Sequence, residues 1–229
     1  MSDEVIGRSV QGRPITLARI GDPAAPRKVL VVGCIHGNEP AGRDIVADLV
    51  RATPAPDAQL LLVRDMNPDG FAHHARANAH GVDLNRNSPE HWDGAGARPW
   101  SEPETRAIRD LVLREQPTLS LYYHQPFGLV DVPEGGRPEA ARRYSELVGL
   151  PLKRLSRRPG SISRWQNVRV RPGSAFVVEL AGGPLPADLR LRHVAAVLAA
   201  VTTRSPARAR PARAAPGAPA PAGTSSSRP

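Results

Sequence analysis

His36-Gly37-Asn38-Glu39 sets an imidazole and a carboxylate three residues apart, directly after the apolar run Val29-Leu30-Val31-Val32-Gly33-Cys34-Ile35. Such a run reads as a buried strand of a parallel sheet. In open α/β sheets, chemistry collects beyond the carboxyl ends of the strands. A neutral imidazole and a carboxylate delivered there can fill two positions of a zinc ion, and a third protein ligand leaves the fourth for water. Alone, the pair is equally compatible with a polar turn capping a helix.

Three further groups bear on that choice. His124 closes the alternating run Leu119-Ser120-Leu121-Tyr122-Tyr123 just before Gln125-Pro126 breaks it. It is either a satisfied core histidine or the third ligand at a neighbouring strand end. Glu179 lies inside Phe176-Val177-Val178-Glu179-Leu180. There it is either an edge-strand carboxylate facing solvent or a buried one that needs a partner and whose pKa is tuned for general-base work. Gly81-Val82-Asp83-Leu84-Asn85-Arg86-Asn87 offers the planar fork of Arg86 beside the amide of Asn85, and Arg76 adds a second fixed cation. A site acting on the C-terminal end of a peptide needs such donors for the terminal carboxylate and a cation for a developing oxyanion.

The elements that must position these groups follow from periodicity and breakers. Residues 6–20 read as two short strands around a Gln11-Gly12 turn. A strand from Val29 to Ile35 leads into a helix from about Pro40 to Arg51, and a strand covers Gln59 to Val63. Met66 to Gly70 is turn chemistry, and residues 65–100 form a long polar connection of the kind that is usually functional. Ser101 and Glu104 have the spacing of a capping box for a helix running to about Gln116. Strands at Leu119–His124 and Ala175–Leu180 and helices at Pro138–Val148 and from Pro186 to about Thr203 complete the set. The implied fold is α/β: one domain over residues 1–204, with a mixed, largely parallel central sheet flanked by helices. Residues 205–229 are Pro, Ala, Arg, Gly, Ser and Thr with no acidic and no large apolar residue, the composition of a disordered tail.

Bulk properties narrow the function classes. The net charge of +9 raises nucleic acid as a partner, but aromatics are only 4% of the chain and no basic helix has periodic spacing, so nucleic-acid binding is not expected. The single Cys34 excludes an internal disulfide and sits in the apolar strand as a small hydrophobe. No apolar run approaches a membrane span. The start, Met1-Ser2-Asp3-Glu4, lacks a basic segment followed by an apolar one, so a cytoplasmic location is expected. The oligomeric state is left open.

The markers taken together are HGNE at 36–39, NPDG at 67–70, GVDLNRN at 81–87, SEPET at 101–105, His124, and FVVEL at 176–180. In order and spacing this set resembles the zinc carboxypeptidase family over residues 7–203. The resemblance implies one zinc per chain held by His36, Glu39 and His124. It assigns Glu179 as general base, Arg76 as oxyanion stabiliser, and Asn85 with Arg86 as the clamp for a substrate's terminal carboxylate. Within the family, Gly7-Arg8-Ser9, Gly12-Arg13-Pro14, the stretch 76–87 and Pro159-Gly160-Ser161 before Trp165 are similar to the bacterial murein peptide amidase A group. That group cuts the γ-D-glutamyl–diaminopimelate bond of cell-wall peptides in the cytoplasm. The expected partner is then a small peptide with a free terminal carboxylate.

Two departures stand out. The substrate-covering tyrosine of the digestive members is missing from Leu155-Ser156-Arg157-Arg158-Pro159, where Arg157 or Arg158 is expected to stand in. Ser88 takes the place of an aromatic after the Asn-Arg-Asn triplet, a change expected to loosen local packing. The position lining the specificity pocket falls at Ile162. Alternatives are a general carboxypeptidase, an N-acyl amino acid deacylase of the aspartoacylase or succinylglutamate desuccinylase kind, and a catalytically dead peptide-binding module.

Overall fold

The computed structural model describes residues 3–202. The stretch expected to be disordered, 205–229, lies outside the described residues. In chain order the elements are β1 (Glu4–Arg8), β2 (Pro14–Gly21), β3 (Arg27–Val32), α1 (Ala41–Leu49), β4 (Ala58–Val63), α2 (Pro68–Ala72), α3 (Pro103–Glu115), β5 (Leu119–His124), β6 (Phe127–Asp131), α4 (Pro138–Val148), β7 (Leu152–Lys153), α5 (Ile162–Arg169), β8 (Ser174–Ala181) and α6 (Ala187–Thr202). The strands form one eight-stranded mixed sheet in the order β1-β2-β4-β3-β5-β8-β6-β7. Its centre, β4-β3-β5-β8, is parallel, so these strands end at the same edge. The hairpin β1-β2 joins antiparallel on one side, and β6 runs antiparallel to β8 on the other.

The central strands are buried on both faces, which is why they read as continuous apolar runs. Alternation still assigns each residue to a face. Val29, Val31, Leu60, Leu62, Leu121 and Val178 pack with Ile45 and Leu49 of α1, Tyr144 of α4 and Val197 of α6. Leu30, Val32, Leu61, Val63, Tyr122 and Val177 pack with Ile108 and Leu111 of α3 and Trp165 of α5. Glu179 has the parity of Val177 and His124 that of Tyr122, so the α3/α5 face is theirs as well. The two stand directly opposite each other in the register of β5 and β8.

Three elements were not anticipated from sequence. The strand β6 begins immediately after a proline and contains Gly128, so it carries breaker signals throughout. The strand β7 has two residues. In α5 the buried set includes Gln166 and Asn167 as well as Ile162 and Trp165, so no apolar stripe marks it. In α6, Leu191 is 61% exposed although its helix packs on the sheet.

The capping box is not formed. Glu102, not Ser101, is the N-cap of α3, and it makes no side-chain cap hydrogen bond; Pro103 starts the helix without needing an amide partner. Glu104 is fully buried and accepts instead from the Val10 amide (3.0 Å) and from Asn78 Nδ2 (3.1 Å). It ties the β1-β2 turn to the long connection. The turn at residues 66–70 also proves to be helical: Asn67 accepts from the Gly70 amide at 2.9 Å and caps α2.

Because Glu104 is fully buried and accepts from two donors, Glu104→Ala should lower the stability by about 1–3 kcal/mol. Urea denaturation checks this, and an unchanged midpoint would show that the tie is not stabilising.

Candidate metal centre and cleft

The chain leaves β3 through Gly33-Cys34-Ile35 and turns at once, the Glu39 amide donating to the His36 carbonyl at 2.9 Å. This turn lies against the start of α2 so closely that a Cβ on Gly37 would stand 1.9 Å from the Gly70 carbonyl carbon. Gly37 is therefore required by this backbone contact, whereas a Cβ on Gly70 would meet Asn67 Nδ2 at 2.4 Å and the Ala77 carbonyl oxygen at 2.7 Å. Cys34 is buried, and its thiol donates to the His36 carbonyl at 3.1 Å, consistent with a packing role.

His36, Glu39 and His124 meet at the carboxyl edge of the sheet, at most 7% exposed. The Nδ1 atoms of His36 and His124 are each 2.9 Å from Glu39 Oε2 and 3.1 Å from each other. Two ring nitrogens and a carboxylate oxygen thus converge on one point, the donor set that suits zinc with a further position left open. Burial and the neighbouring His36 charge push His124 toward its neutral, ligating form. Burial opposes the ionisation of Glu39, but hydrogen bonds from His124 and His36 outweigh it and hold the carboxyl well below its usual range.

A second layer orients the trio. His36 Nε2 is 3.0 Å from Asp83 Oδ1, the arrangement that fixes which nitrogen a histidine turns toward a metal. Asp83 also accepts from the Asn85 amide (2.9 Å), capping the 3-10 turn Leu84–Arg86, and pairs with Arg76 Nη2 at 3.1 Å. Arg76 in turn reaches Glu39 Oε1 at 2.8 Å. Gln125 donates its backbone amide to Glu39 Oε2 at 3.2 Å, while its side chain bonds Ala41, Ala181 and Gly183. Asp83 and Gln125 were not singled out from sequence. Only the motif context of Asp83, an acid beside Asn85 and Arg86, hinted at its role.

The trio opens into a cavity of about 580 Å³ that is also lined by Arg76, Asn85, Arg86 and Glu179. The strand β8 is interior to the sheet, so Glu179 is not an edge residue; it is 7% exposed, and its Oε2 has no hydrogen-bond partner among the described residues. Burial and the charge of Glu39 push its carboxyl up to about 7. Asn85 Nδ2 lies 3.4 Å from His124 Nε2, and its Oδ1 accepts the Ile162 amide at 3.1 Å. Among the described residues, the Arg86 side chain hydrogen-bonds the adjacent Asn85 carbonyl, at 2.7 Å, and no other group.

The remaining expectations fare differently. Arg157 lies on the cavity rim, exposed, with Nε 3.2 Å from Glu134 Oε1. Ile162 does not line the cavity: its side chain is 1% exposed in the core with Trp165, and Ser161, Ser163 and Arg164 form the wall at that point. The first turn of α5 aims residue 162 at the sheet, which leaves its neighbours to face the cleft. Ser88 does not loosen the packing. Its buried hydroxyl donates to the Ser161 carbonyl (3.0 Å) and its amide to the Gly160 carbonyl (3.1 Å), fastening the two loops together.

A family model described as zinc carboxypeptidase matches residues 1–135. Murein peptide amidase A of Escherichia coli K12 is 31% identical over 185 residues, covering 71% of this chain and 75% of that protein. Its counterpart in Vibrio campbellii is 29% identical over 216 residues, covering 84% of each. Among solved structures, murein-tripeptide amidase MpaA from Escherichia coli O157 superposes with a TM-score of 0.72 at 25% identity, covering 90% of this chain and 93% of that one. With a site built for one zinc at the edge of this sheet, and with relatives that match across most of their length, the chain belongs to the zinc carboxypeptidase family.

Proposed function

We propose that this enzyme hydrolyses the γ-D-glutamyl–diaminopimelate bond of murein peptides, with His36, Glu39 and His124 as its zinc ligands. The observation that bears most on the chemistry is the buried, unpartnered Oε2 of Glu179 in the same cavity as the trio. Support for the bond comes from relatives whose names specify murein peptides. The family acts on peptides that end in a free carboxylate, and Arg86, with no acidic side chain hydrogen-bonded to it among the described residues, offers a planar fork to that group. Bound at the trio, zinc supplies Lewis acidity toward the carbonyl and lowers the pKa of water.

Glu179 takes a proton from the attacking water at Oε2 and passes it to the leaving amine. A carboxyl with its pKa near the working pH suits both transfers. Arg76, held at the trio by Glu39 and Asp83, sits where a cation can stabilise the oxyanion. Asn85 and Arg86 orient the leaving residue by its terminal carboxylate. No helix among the described residues is long and apolar enough to cross a membrane. A cytoplasmic role in the turnover of released wall peptides is part of this proposal.

Glu179→Gln should keep zinc at full stoichiometry yet lose about 10²–10⁴-fold in kcat on L-Ala-γ-D-Glu-meso-diaminopimelate. Normal turnover by that variant would remove Glu179 as the base. Since the ionised form accepts the proton, wild-type kcat/KM should rise with pH through the pKa of this group. Its midpoint should lie at or below the value of about 7 set by burial and Glu39, because a bound cation pulls it down. A profile that climbs on acidification would contradict the assignment.

Asp83→Asn removes the charge behind His36 and should weaken zinc binding about 10–100-fold. Competition with a chromogenic chelator reads this directly, and unaltered affinity would show that Asp83 does not support the ligand.

A further inference from the structure

The cleft wall away from the trio carries both signs of charge, and its members are not equally committed. Glu134 is already neutralised by Arg157 at 3.2 Å and by a shorter pair with Arg164. Asp131, at the end of β6, accepts the Leu155 amide at 2.9 Å but has no side-chain cation paired with it among the described residues. Arg154 and Arg158, exposed on the loop that follows β7, likewise have no ion pair or side-chain hydrogen bond among the described residues. With Arg86 assigned to the terminal carboxylate, two cations and one carboxylate are left over on the same wall.

These charges sense one another. Arg158 lies near enough to Arg86 for the two cations to repel, and Arg154 acts on Asp131. An anion beside Arg158 would relieve its repulsion with Arg86. An ammonium group is the natural partner for Asp131, which is half-buried and has no ion pair among the described residues. A leaving residue with a plain basic or plain acidic side chain would leave one of the two signs unmatched.

We propose that Asp131, Arg154 and Arg158 form a second recognition point, which reads a leaving residue whose side chain ends in both an ammonium and a carboxylate. This inference rests on the murein reading, since the distal amino-acid centre of diaminopimelate is such a group. It moves specificity from Ile162 and Arg157 to Asp131, Arg154 and Arg158. The three act on binding of the leaving residue and not on the proton transfers at Glu179.

The test compares three tripeptides with the zinc-loaded full chain: L-Ala-γ-D-Glu followed by meso-diaminopimelate, by L-lysine (no distal carboxylate), or by L-2-aminopimelate (no distal amine). Each missing group should lower kcat/KM at least about tenfold, mainly through KM, the range of a hydrogen bond to a charged group. The double variant Arg154→Ala/Arg158→Ala should bring diaminopimelate down to the lysine level and leave the lysine peptide unaffected. Asp131→Asn, which keeps an acceptor for the Leu155 amide, should bring it down to the aminopimelate level.

Equal turnover of the three peptides by the wild type overturns the inference while the murein reading stands, and this arm does not depend on any variant folding. Variants of unchanged melting temperature and zinc content that keep the full discrimination overturn it as well. No turnover of any γ-D-glutamyl peptide, with ordinary C-terminal peptides cleaved, removes the murein reading and this assignment with it.

Discussion

The structure depends on one carboxylate oxygen held between two buried imidazoles. Glu39 Oε2 stands 2.9 Å from the Nδ1 atoms of both His36, in the turn after β3, and His124, at the end of β5. Bringing three polar side chains together away from water is costly unless a ligand or hydrogen bonds compensate. The surroundings serve that requirement. Parallel β3 and β5 end at the same edge, Gly37 lets its turn touch the start of α2, and Asp83 braces His36 from behind. The same cluster sets the chemistry of its neighbour, because the charge of Glu39 adds to burial in raising the Glu179 carboxyl.

A second organising constraint is the long connection between β4 and α3. It has little regular structure, yet it is pinned at many points. Asp69 accepts from Ser9 Oγ (2.8 Å) and the Gln11 amide (2.9 Å), and Asn78 donates to both Glu102 and Glu104. The Gly-Arg-Ser and Gly-Arg-Pro motifs near the start of the chain thereby acquire a physical role: Ser9 and Arg13 hold the helix that precedes Arg76. At the other end, a Cβ on Gly160 would stand 1.9 Å from the Arg86 carbonyl oxygen. The loop before α5 therefore presses on the residue assigned to the terminal carboxylate.

Much of this was legible in the sequence, and the reasons differ by element. The buried parallel strands declare themselves as apolar runs, and their ends pointed to His124 and the turn at His36. Glu179 was conspicuous as a charge inside such a run, and the interior position of β8 rules out the edge-strand reading. The misses share a cause. A capping box is a local pattern, but Glu104 finds partners 94 and 26 residues away, and those tertiary bonds win. The helix α5 is anchored by Trp165 and by buried amides of Gln166 and Asn167, which periodicity does not register. Ile162 was expected near the specificity pocket but lies in the core, since one residue along a helix turns the side chain from cleft to core. Asp131 and Asp83 became visible as site residues only once the fold brought them to the cavity.

The most direct test of the account is crystallography of the zinc-loaded protein with anomalous data collected at the zinc edge. The account predicts one strong peak, bound by Nδ1 of His36, Nδ1 of His124 and the Glu39 carboxylate, at nitrogen distances of about 2.0–2.1 Å. Zinc held by any other set of side chains, or no zinc at this edge of the sheet, would contradict it.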